Sequence, residues 1–231
     1  MTAHARSPKK PTRTKIFLVD DHPVLRAGIA ILINGAPDLC VCGEAEAAIE
    51  TLEKLPLANP DVVVVDISLP GTDGIGLIKQ IKRLQPQCHM VVYSGNDEVL
   101  YAERVLAAGA QGYVMKCESP LNLLTAIRRI MAGEIVVGKE ITARLLRRAT
   151  GQTVPQAPSG LAKLSNREME IFRLIGQECS RTAIAKQLQI SVKTFEVHRA
   201  HIREKLNLAN ARALYMRAVK FHKSQASAQS S

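Results

Sequence analysis

The sequence predicts two domains of different class: a doubly wound α/β domain with a five-stranded parallel sheet, and after it a separate all-α domain. Strand-like and helical segments alternate five times up to residue 133, and the strands are almost continuously apolar. This pattern is typical of a parallel sheet covered by helices on both faces. After residue 160, apolar residues recur only at helical spacing. Residues 149–160 carry no charge and are rich in Pro, Gly, Ser, Thr and Gln, which predicts a linker.

The elements of the first domain follow from local signals. Pro23 suits the first turn of the first helix, Gly109 ends the fourth, and Ser119 followed by Pro120 begins the fifth. Strands are predicted at 15–20, 39–45, 61–66, 89–94 and 112–116, and helices at 22–35, 45–55, 75–85, 97–109 and 119–133.

The net charge of +10 is divided unevenly along the chain. Residues 15–135 contain ten Lys and Arg against fifteen Asp and Glu, whereas residues 161–231 contain thirteen against five. The two halves are therefore expected to have different partners, and the basic half is of the kind that a phosphate backbone attracts.

Cysteine usage and hydropathy indicate a cytoplasmic protein without a membrane partner. The five cysteines form no CxxC pair, which favours reduced thiols over disulfides or zinc ligands. The basic N-terminal segment lacks the apolar stretch of a secretory signal, and no apolar run is long enough to cross a bilayer.

Reactive side chains stand where the predicted strands end. Asp20 ends the first strand, and Asp21 follows it. The third, fourth and fifth strands end at Asp66, Ser94 and Lys116, respectively. Ligands of an open parallel sheet gather at this edge. Three converging carboxylates require a cation, and oxygen ligands beside a lysine favour Mg²⁺. Each residue alone is more often a solvated loop group or a helix cap, but their convergence favours a carboxylate nucleophile acting on a phosphoryl group.

Two other chemistries on similar sheets fit the sequence less well. A phosphatase of the haloacid dehalogenase type requires a second aspartate two residues after its nucleophile, and Ser68 stands there. A flavodoxin-type FMN site requires a loop rich in hydroxyl groups and glycine after the first strand, where this chain has DDHPVLR.

The basic half contains four helical segments. Ser165 and Glu168 form a capping-box pattern at the first of them. The second, 180–188, is expected to turn Ala183, Ile184 and Leu188 inward, and a break at 189–191 separates it from a longer helix at 192–207. Two helices joined by a short turn predict a helix-turn-helix DNA-binding unit.

The longer helix separates its residues by face. Its core stripe is predicted to consist of Phe195, His198, Ile202 and Leu206. His198 is expected to be buried and hydrogen-bonded. On the opposite face, Val197 is either an ordinary surface residue or a contact for a thymine methyl group. Glu196 either accepts from a cytosine amino group or orients a neighbouring side chain. The candidates for DNA contact are Lys193, Thr194, Glu196, Val197, Arg199, Ala200, His201 and Arg203.

Both halves resemble parts of one known family. The motifs VDDHPVLRAGI, DISLPGTDG, YSG and GYVMK resemble the flavodoxin-like receiver domain of two-component response regulators. The motifs LSNREMEIFRLI, AIAKQLQIS and KTFEVHRAHIREKL resemble the LuxR-type DNA-binding domain of NarL/FixJ-type response regulators. One departure is Cys117, where many relatives have an acidic residue or proline.

The resemblance implies a phosphorylation site in the first domain. Asp66 would accept a phosphoryl group from a sensor histidine kinase, with Ser94 and Lys116 contacting the phosphoryl oxygens and Tyr113 acting as the aromatic switch residue. By the same resemblance, Asp21 and Asp66 would hold Mg²⁺, with Asp20 assisting directly or through water, and the backbone carbonyl of Ser68 would complete the protein ligands.

These inferences predict a transcription factor controlled by phosphorylation. The receiver is predicted at 14–133, a connecting helix and linker at 134–160, and the DNA-binding domain at 161–223. The expected partners are the kinase, double-stranded promoter DNA, a second copy of the phosphorylated chain and RNA polymerase. The chain is not expected to be an enzyme. Two alternatives remain, a regulator that binds DNA without phosphorylation and a metal-dependent phosphatase for small phosphoesters.

Overall fold

The computed structural model describes residues 13–69, 74–96, 98–150 and 160–228, and it divides into two compact units, Met1–Thr142 and Ala143–Ser231. Residues 70–73, within the DISLPGTDG motif, and residues 151–159 of the predicted linker lie outside the described residues.

The first unit contains the predicted doubly wound sheet. Its five strands are parallel and lie in the order β2-β1-β3-β4-β5. The strands are β1 Thr14–Val19, β2 Leu39–Ala45, β3 Val62–Val65, β4 His89–Ser94 and β5 Gly112–Met115. Its helices are α1 Pro23–Gly35, α2 Ala48–Ala58, α3 Gly74–Leu84, α4 Glu98–Ala108 and α5 Pro120–Met131; the next helix, α6 Lys139–Ala149, begins in the first unit and ends in the second.

Apolar side chains explain why the central strands lie inside. All four valines of β3 are buried, as an inner parallel strand with helices over both faces requires. In α3, Ile75, Ile78 and Ile81 are also buried, because they recur at the helical period that faces the sheet. The edge strand β2 is buried only at its two ends.

The strand order reverses between β1 and β3, and this switch point determines where a ligand would bind. Val19 pairs with Val65, and the Asp66 amide donates a 2.8 Å hydrogen bond to the Val19 carbonyl. Asp20 and Asp66 therefore leave neighbouring strands at the same level of the sheet.

Two local predictions for the first domain were inaccurate. The second helix begins at Ala48 and not at 45, because β2 continues to Ala45, which pairs with Val19. Ser119 precedes α5 as predicted, but its side chain makes no capping hydrogen bond.

The start of the predicted connector is hydrogen-bonded to the receiver. Val136 forms a parallel bridge with Gly112, and its carbonyl accepts a 2.8 Å hydrogen bond from the Tyr113 amide. The Glu98 carboxylate accepts a 2.6 Å hydrogen bond from the Gly138 amide, next to the first turn of α6. This segment is thus tied to both α4 and β5.

The second unit is helical, as predicted. It consists of a 3₁₀ turn at Leu161–Lys163 and the helices α7 Asn166–Gly176, α8 Arg181–Gln187, α9 Val192–Lys205 and α10 Ala211–Ala228. The capping box at Ser165 and Glu168 is present in full. The helix-turn-helix lies in α8 and α9, whose connection runs from Leu188 to Ser191.

The core of the second unit confirms most of the predicted faces. Ile184, Leu188, Phe195, Ile202 and Leu206 are buried. The prediction for Ala183 was wrong: it is exposed, and Ala185 is buried in its place, because the inward face of this short helix is rotated from the predicted one. In the described part of the chain, no helix combines the length and apolarity that crossing a membrane requires.

Candidate functional site

Two acidic side chains and one ammonium group meet at the carboxyl edge of the sheet. Asp66 is 2% exposed, and Asp20 is also buried. Lys116 Nζ lies 2.6 Å from Asp66 Oδ2 and 2.7 Å from Asp20 Oδ2. The sheet therefore brings together three of the residues that the sequence predicted for this site.

The charge of Lys116 is stabilised by this arrangement. Burial by itself would lower the pKa of Lys116, but the negative charge of Asp66 and the hydrogen bonds to Asp20 and Asp66 raise it above its ordinary value. The lysine therefore carries a positive charge at neutral pH, directly beside the predicted phosphoacceptor.

The loop after β3 fixes the orientation of the Asp66 side chain. Asp66 Oδ1 accepts a 2.9 Å hydrogen bond from the Ser68 amide, while Oδ2 faces Lys116. The first residue of α3 is Gly74, where a Cβ atom would lie 2.5 Å from the Ile67 backbone. Only glycine allows α3 to approach the loop so closely without displacing it.

Four side chains could hold a cation at this edge. Asp20, Asp21, His22 and Asp66 each offer a ligand atom, and these atoms lie within 4.8 Å of one another. Asp21 Oδ1 is buried and makes no hydrogen bond, although His22 Nδ1 lies 2.8 Å away. A buried carboxylate oxygen of this kind, beside two further carboxylates, fits a hard divalent cation such as Mg²⁺. The sequence predicted the three aspartates but not His22, whose proximity depends on the turn before α1.

Asn96 is a further site residue that the sequence did not predict. Its amide nitrogen Nδ2 donates to Ser68 Oγ at 2.8 Å and to Ser94 Oγ at 3.3 Å. Its backbone carbonyl accepts a 2.9 Å hydrogen bond from the Tyr113 hydroxyl. Asn96 thus connects residues that follow or belong to β3, β4 and β5. The only signal in the sequence was its position, two residues after Ser94.

Ser94 is the last residue of β4, and Tyr113 lies in β5. Both residues are buried. The Lys116 amide donates a 2.8 Å hydrogen bond to the Ser94 carbonyl, so that the ends of β4 and β5 are held together beside Asp66. No contact in the described part of the chain tests the Ser68 carbonyl as a cation ligand, and that role stays a prediction.

The second unit presents α9 as its candidate DNA-binding helix. Val197 is 48% exposed, and Ala200 and His201 are also exposed on the side away from Phe195 and Ile202. Lys193 and Thr194 are exposed in the first turn. The Ser191 side chain caps this turn by accepting from the Thr194 amide at 2.9 Å.

Four of the residues predicted on α9 are either paired within the domain or partly buried. Arg199 Nη2 forms a 2.5 Å ion pair with Glu196 Oε2, and the Arg199 guanidinium lies 5.9 Å from the centre of the Phe195 ring. Arg203 is half-buried. His198 is half-buried as well, rather than fully buried as predicted, and desolvation lowers its pKa.

Both units match known protein families. Residues 16–128 match the family described as "Response regulator receiver domain", and residues 162–218 match "Bacterial regulatory proteins, luxR family". The chain is 32% identical over 210 residues to the oxygen regulatory protein NreC of Staphylococcus carnosus, covering 89% of this chain and 97% of the relative. It is 33% identical over 195 residues to the nitrate/nitrite response regulator protein NarL of Escherichia coli, covering 84% and 89%.

The chain belongs to the NarL-type response regulators. The response regulator also resembles solved structures of RcsB from Salmonella enterica serovar Typhimurium. One of these is bound to promoter DNA in the presence of the phosphomimetic BeF₃⁻, with a TM-score of 0.60 at 28% identity over 92% of this chain and all of that chain. The family predicted from the motifs is confirmed. Its members are DNA-binding regulators and not classical enzymes.

Proposed function

We propose that this response regulator is a transcription factor switched by transfer of a phosphoryl group from a sensor histidine kinase to Asp66. The observation that carries the proposal is the buried Asp66 carboxylate at the end of β3, paired with the Lys116 ammonium 2.6 Å away. A rigidly held carboxylate beside a fixed positive charge suits attack on an anionic phosphoryl group.

In the proposed reaction, a carboxylate oxygen of Asp66 forms a bond to phosphorus as the phosphorus–nitrogen bond to the kinase histidine breaks. Lys116 is close enough to pair with an oxygen of the transferred group, because its ammonium already contacts Asp66. The Ser94 hydroxyl accepts hydrogen bonds from Asn96, which leaves its own proton free to donate to a phosphoryl oxygen. Tyr113 would respond to phosphorylation of Asp66 through the hydrogen bond that its hydroxyl donates to the backbone carbonyl of Asn96.

Mg²⁺ would be held by Asp20, Asp21, Asp66 and the carbonyl of Ser68. Three of the four side chains clustered at this edge are carboxylates, with His22 as the fourth, and the buried Asp21 Oδ1 makes no hydrogen bond; this excess of oxygen donors supports the choice of ion. When bound, the ion would neutralise charge on the transferring oxygens.

Promoter DNA would be contacted through α9. Its exposed apolar and small side chains suit the floor of a major groove, and its basic side chains suit the phosphates.

Dimers of the phosphorylated form are proposed because one helix reads few base pairs, and structures of RcsB dimers bound to DNA have been solved. RNA polymerase is a further proposed partner, and the cytoplasm the proposed compartment. The proposed DNA contacts are Lys193, Thr194, Glu196, Val197, Arg199, Ala200, His201 and Arg203.

Labelling with acetyl phosphate and Mg²⁺, followed by intact-mass measurement, tests the acceptor. The wild-type chain is expected to gain one phosphoryl group, and Asp66→Asn none, because the amide keeps the shape but is not a nucleophile. Asp61→Asn is the matched control: Asp61 precedes the same strand at the opposite edge of the sheet, and this variant should label normally. Normal labelling of Asp66→Asn would exclude Asp66 as the acceptor.

The same experiment separates a switch from a phosphatase. A switch retains the phosphoryl group on Asp66 and changes its affinity for DNA. A phosphatase for small phosphoesters would release phosphate with continuous turnover. Repeated hydrolysis of acetyl phosphate without a detectable adduct would favour the second function.

A further inference from the structure

A guanidinium group joins the end of β1 to the edge strand β2. Arg26 lies in the first turn of α1, and its side chain is only 16% exposed. Its Nη1 atom donates a 2.5 Å hydrogen bond to the backbone carbonyl of Asp20, and its Nε atom lies 3.2 Å from Glu44 Oε2. Hydrogen bonds from a charged donor are stronger than those between neutral groups, so that Arg26 anchors the chain where β1 ends.

The anchored carbonyl belongs to the peptide unit between Asp20 and Asp21. The paired residues of β1 end at Val19, one residue before this carbonyl. Because a peptide unit is planar, fixing the direction of its oxygen restricts rotation on both sides of it, at ψ of Asp20 and at φ of Asp21. Arg26 therefore restrains the backbone from which two of the clustered carboxylates extend.

The two carboxylates depend on this backbone to different degrees. The Asp20 side chain is held at both oxygens, because Oδ1 accepts a 2.8 Å hydrogen bond from the His22 amide and Oδ2 lies 2.7 Å from Lys116 Nζ. Asp21 Oδ1 makes no hydrogen bond, although the His22 ring nitrogen Nδ1 lies 2.8 Å away. The direction of the Asp21 carboxylate is thus determined chiefly by its backbone, which Arg26 restrains on one side.

The charge of Arg26, in contrast, opposes a cation at this edge. Arg26 lines the same small cavity as Asp20 and Asp66, so that its guanidinium lies beside the acidic cluster. Two positive charges this close repel each other. The Glu44 carboxylate offsets the charge of Arg26 but leaves Nη1 bonded to the Asp20 carbonyl. Electrostatic attraction therefore does not explain an arginine at this position, whereas its hydrogen bond to the backbone does.

We propose that Arg26 is a positioning residue for Mg²⁺ binding, which holds the peptide between Asp20 and Asp21 so that both carboxylates converge on the ion. This inference rests on the proposed Mg²⁺ site. Groups that fix the direction of metal ligands raise affinity, because the ligands lose less freedom when the ion binds. Arg26 is not itself a ligand, since a guanidinium has no acceptor atom.

The test is titration of the full-length chain with MgCl₂ alone, followed by the amide NMR signals of residues at the carboxyl edge of the sheet. Arg26→Ala is expected to weaken Mg²⁺ binding roughly tenfold, as the loss of a group behind a metal ligand typically does. Loss of a nearby positive charge by itself would instead strengthen binding. The sign of the change therefore separates a positioning role from an electrostatic one.

Two further variants and a control complete the titration. The double variant Arg26→Ala, Glu44→Gln keeps the net charge of the wild-type chain and should bind Mg²⁺ at least as weakly as Arg26→Ala. Arg26→Lys keeps the charge and one donor but lacks the guanidinium fork, and its affinity should lie between those of wild type and Arg26→Ala. Arg128→Ala is the matched control, because Arg128 is paired with Asp38, which precedes β2 at the opposite edge of the sheet. Its affinity for Mg²⁺ should equal that of wild type.

Three results would overturn the proposal. If Arg26→Ala and the double variant bind Mg²⁺ as tightly as wild type, or more tightly, Arg26 does not position the ligands. If Arg128→Ala weakens binding by as much, the effect reflects a general loss of stability. If the wild-type chain binds no Mg²⁺, the cation site of the proposed function fails, and the role of Arg26 fails with it. Thermal unfolding without metal shows which variants are folded during titration, and if Arg26→Ala is not, equal affinities of Arg26→Lys and wild type would decide against the proposal.

Discussion

Glu168 shows how one buried carboxylate connects two helices of the DNA-binding unit. Its Oε2 atom accepts a 2.7 Å hydrogen bond from the Ser165 amide and lies 2.7 Å from Lys205 Nζ, at the end of α9. Burial alone would raise the pKa of Glu168, but the bonds from Lys205 and Ser165 lower it below its ordinary value of 4.5. The ionised form therefore stabilises the folded state.

We expect Glu168→Gln to destabilise the chain by about 1–2 kcal/mol at pH 7. Because the folded-state pKa is lowered, the contribution of the charge is complete above pH 4.5 and is lost as the pH falls through the lower, folded-state pKa. Thermal unfolding of both proteins across this range should show curves that converge at acid pH. Glu204→Gln, an exposed control on α9, should change stability little at any pH. A difference that stays constant with pH would exclude the charge as its cause.

Sequence patterns identified site residues whose position follows from a strand end. Asp66 and Lys116 could be predicted because parallel strands deliver their last residues to one edge of the sheet. Asn96 and His22 could not, because their contacts depend on the loop backbone after β4 and after β1. The sequence also did not decide whether Glu196 contacts Arg199, since helical periodicity specifies the face on which a residue lies but not its side-chain rotamer.

At the scale of elements, the approach of α3 to the loop after β3 depends on one glycine. A Cβ atom at Gly74 would lie 2.5 Å from both the Cα and the carbonyl oxygen of Ile67, which are backbone atoms and cannot rotate away. The same loop carries the Ser68 amide that orients Asp66. Packing of α3 and geometry of the acceptor are therefore coupled.

Gly74→Ala is expected to cost roughly 1–3 kcal/mol of stability, as overpacking does, and to slow labelling by acetyl phosphate. Gly28→Ala is the control: Gly28 lies inside α1 with no atom within 4 Å of an added Cβ, so this change should be neutral or stabilise by up to about 1 kcal/mol. Chemical denaturation and intact-mass kinetics on both variants provide the measurements. Equal labelling rates would mean that α3 does not determine the position of the acceptor loop.

The elements themselves were largely predictable, and the exceptions have physical causes. The buried strands β1, β3, β4 and β5 lie within one residue of their predicted bounds, because polar residues mark both ends of each continuous apolar run. The start of α2 was misplaced because alanine and glutamate at 44–46 suit helices, while pairing between β1 and β2 extends the strand. In α8, seven residues are too few for periodicity to determine the inward face.

At the scale of the whole molecule, the two halves differ in charge as their proposed partners require. The acidic receiver carries Asp66, the proposed phosphoacceptor, and the basic unit carries α9, the proposed DNA-binding helix. The proposed phosphorylation of Asp66 would act directly on the receiver alone, so that an effect on DNA would have to pass through an equilibrium between states of the chain. We propose that this equilibrium is between monomer and dimer, because two linked DNA-binding units occupy paired half-sites with higher affinity than one.

The wild-type chain treated with acetyl phosphate and Mg²⁺ should then sediment as a dimer and bind a duplex with two half-sites at least about tenfold more tightly than the untreated chain. On a duplex with a single half-site the gain should be much smaller, because the second unit has no specific contact to make. Affinity should fall steeply as salt rises in both states, since lysine and arginine displace condensed counterions from the phosphates. Asp66→Asn should remain monomeric and show none of the gain under the same treatment. If the phosphorylated chain gains affinity equally on one and two half-sites while remaining monomeric, dimerisation is not the switch, and the phosphoryl group must instead change the DNA-binding unit within a single chain.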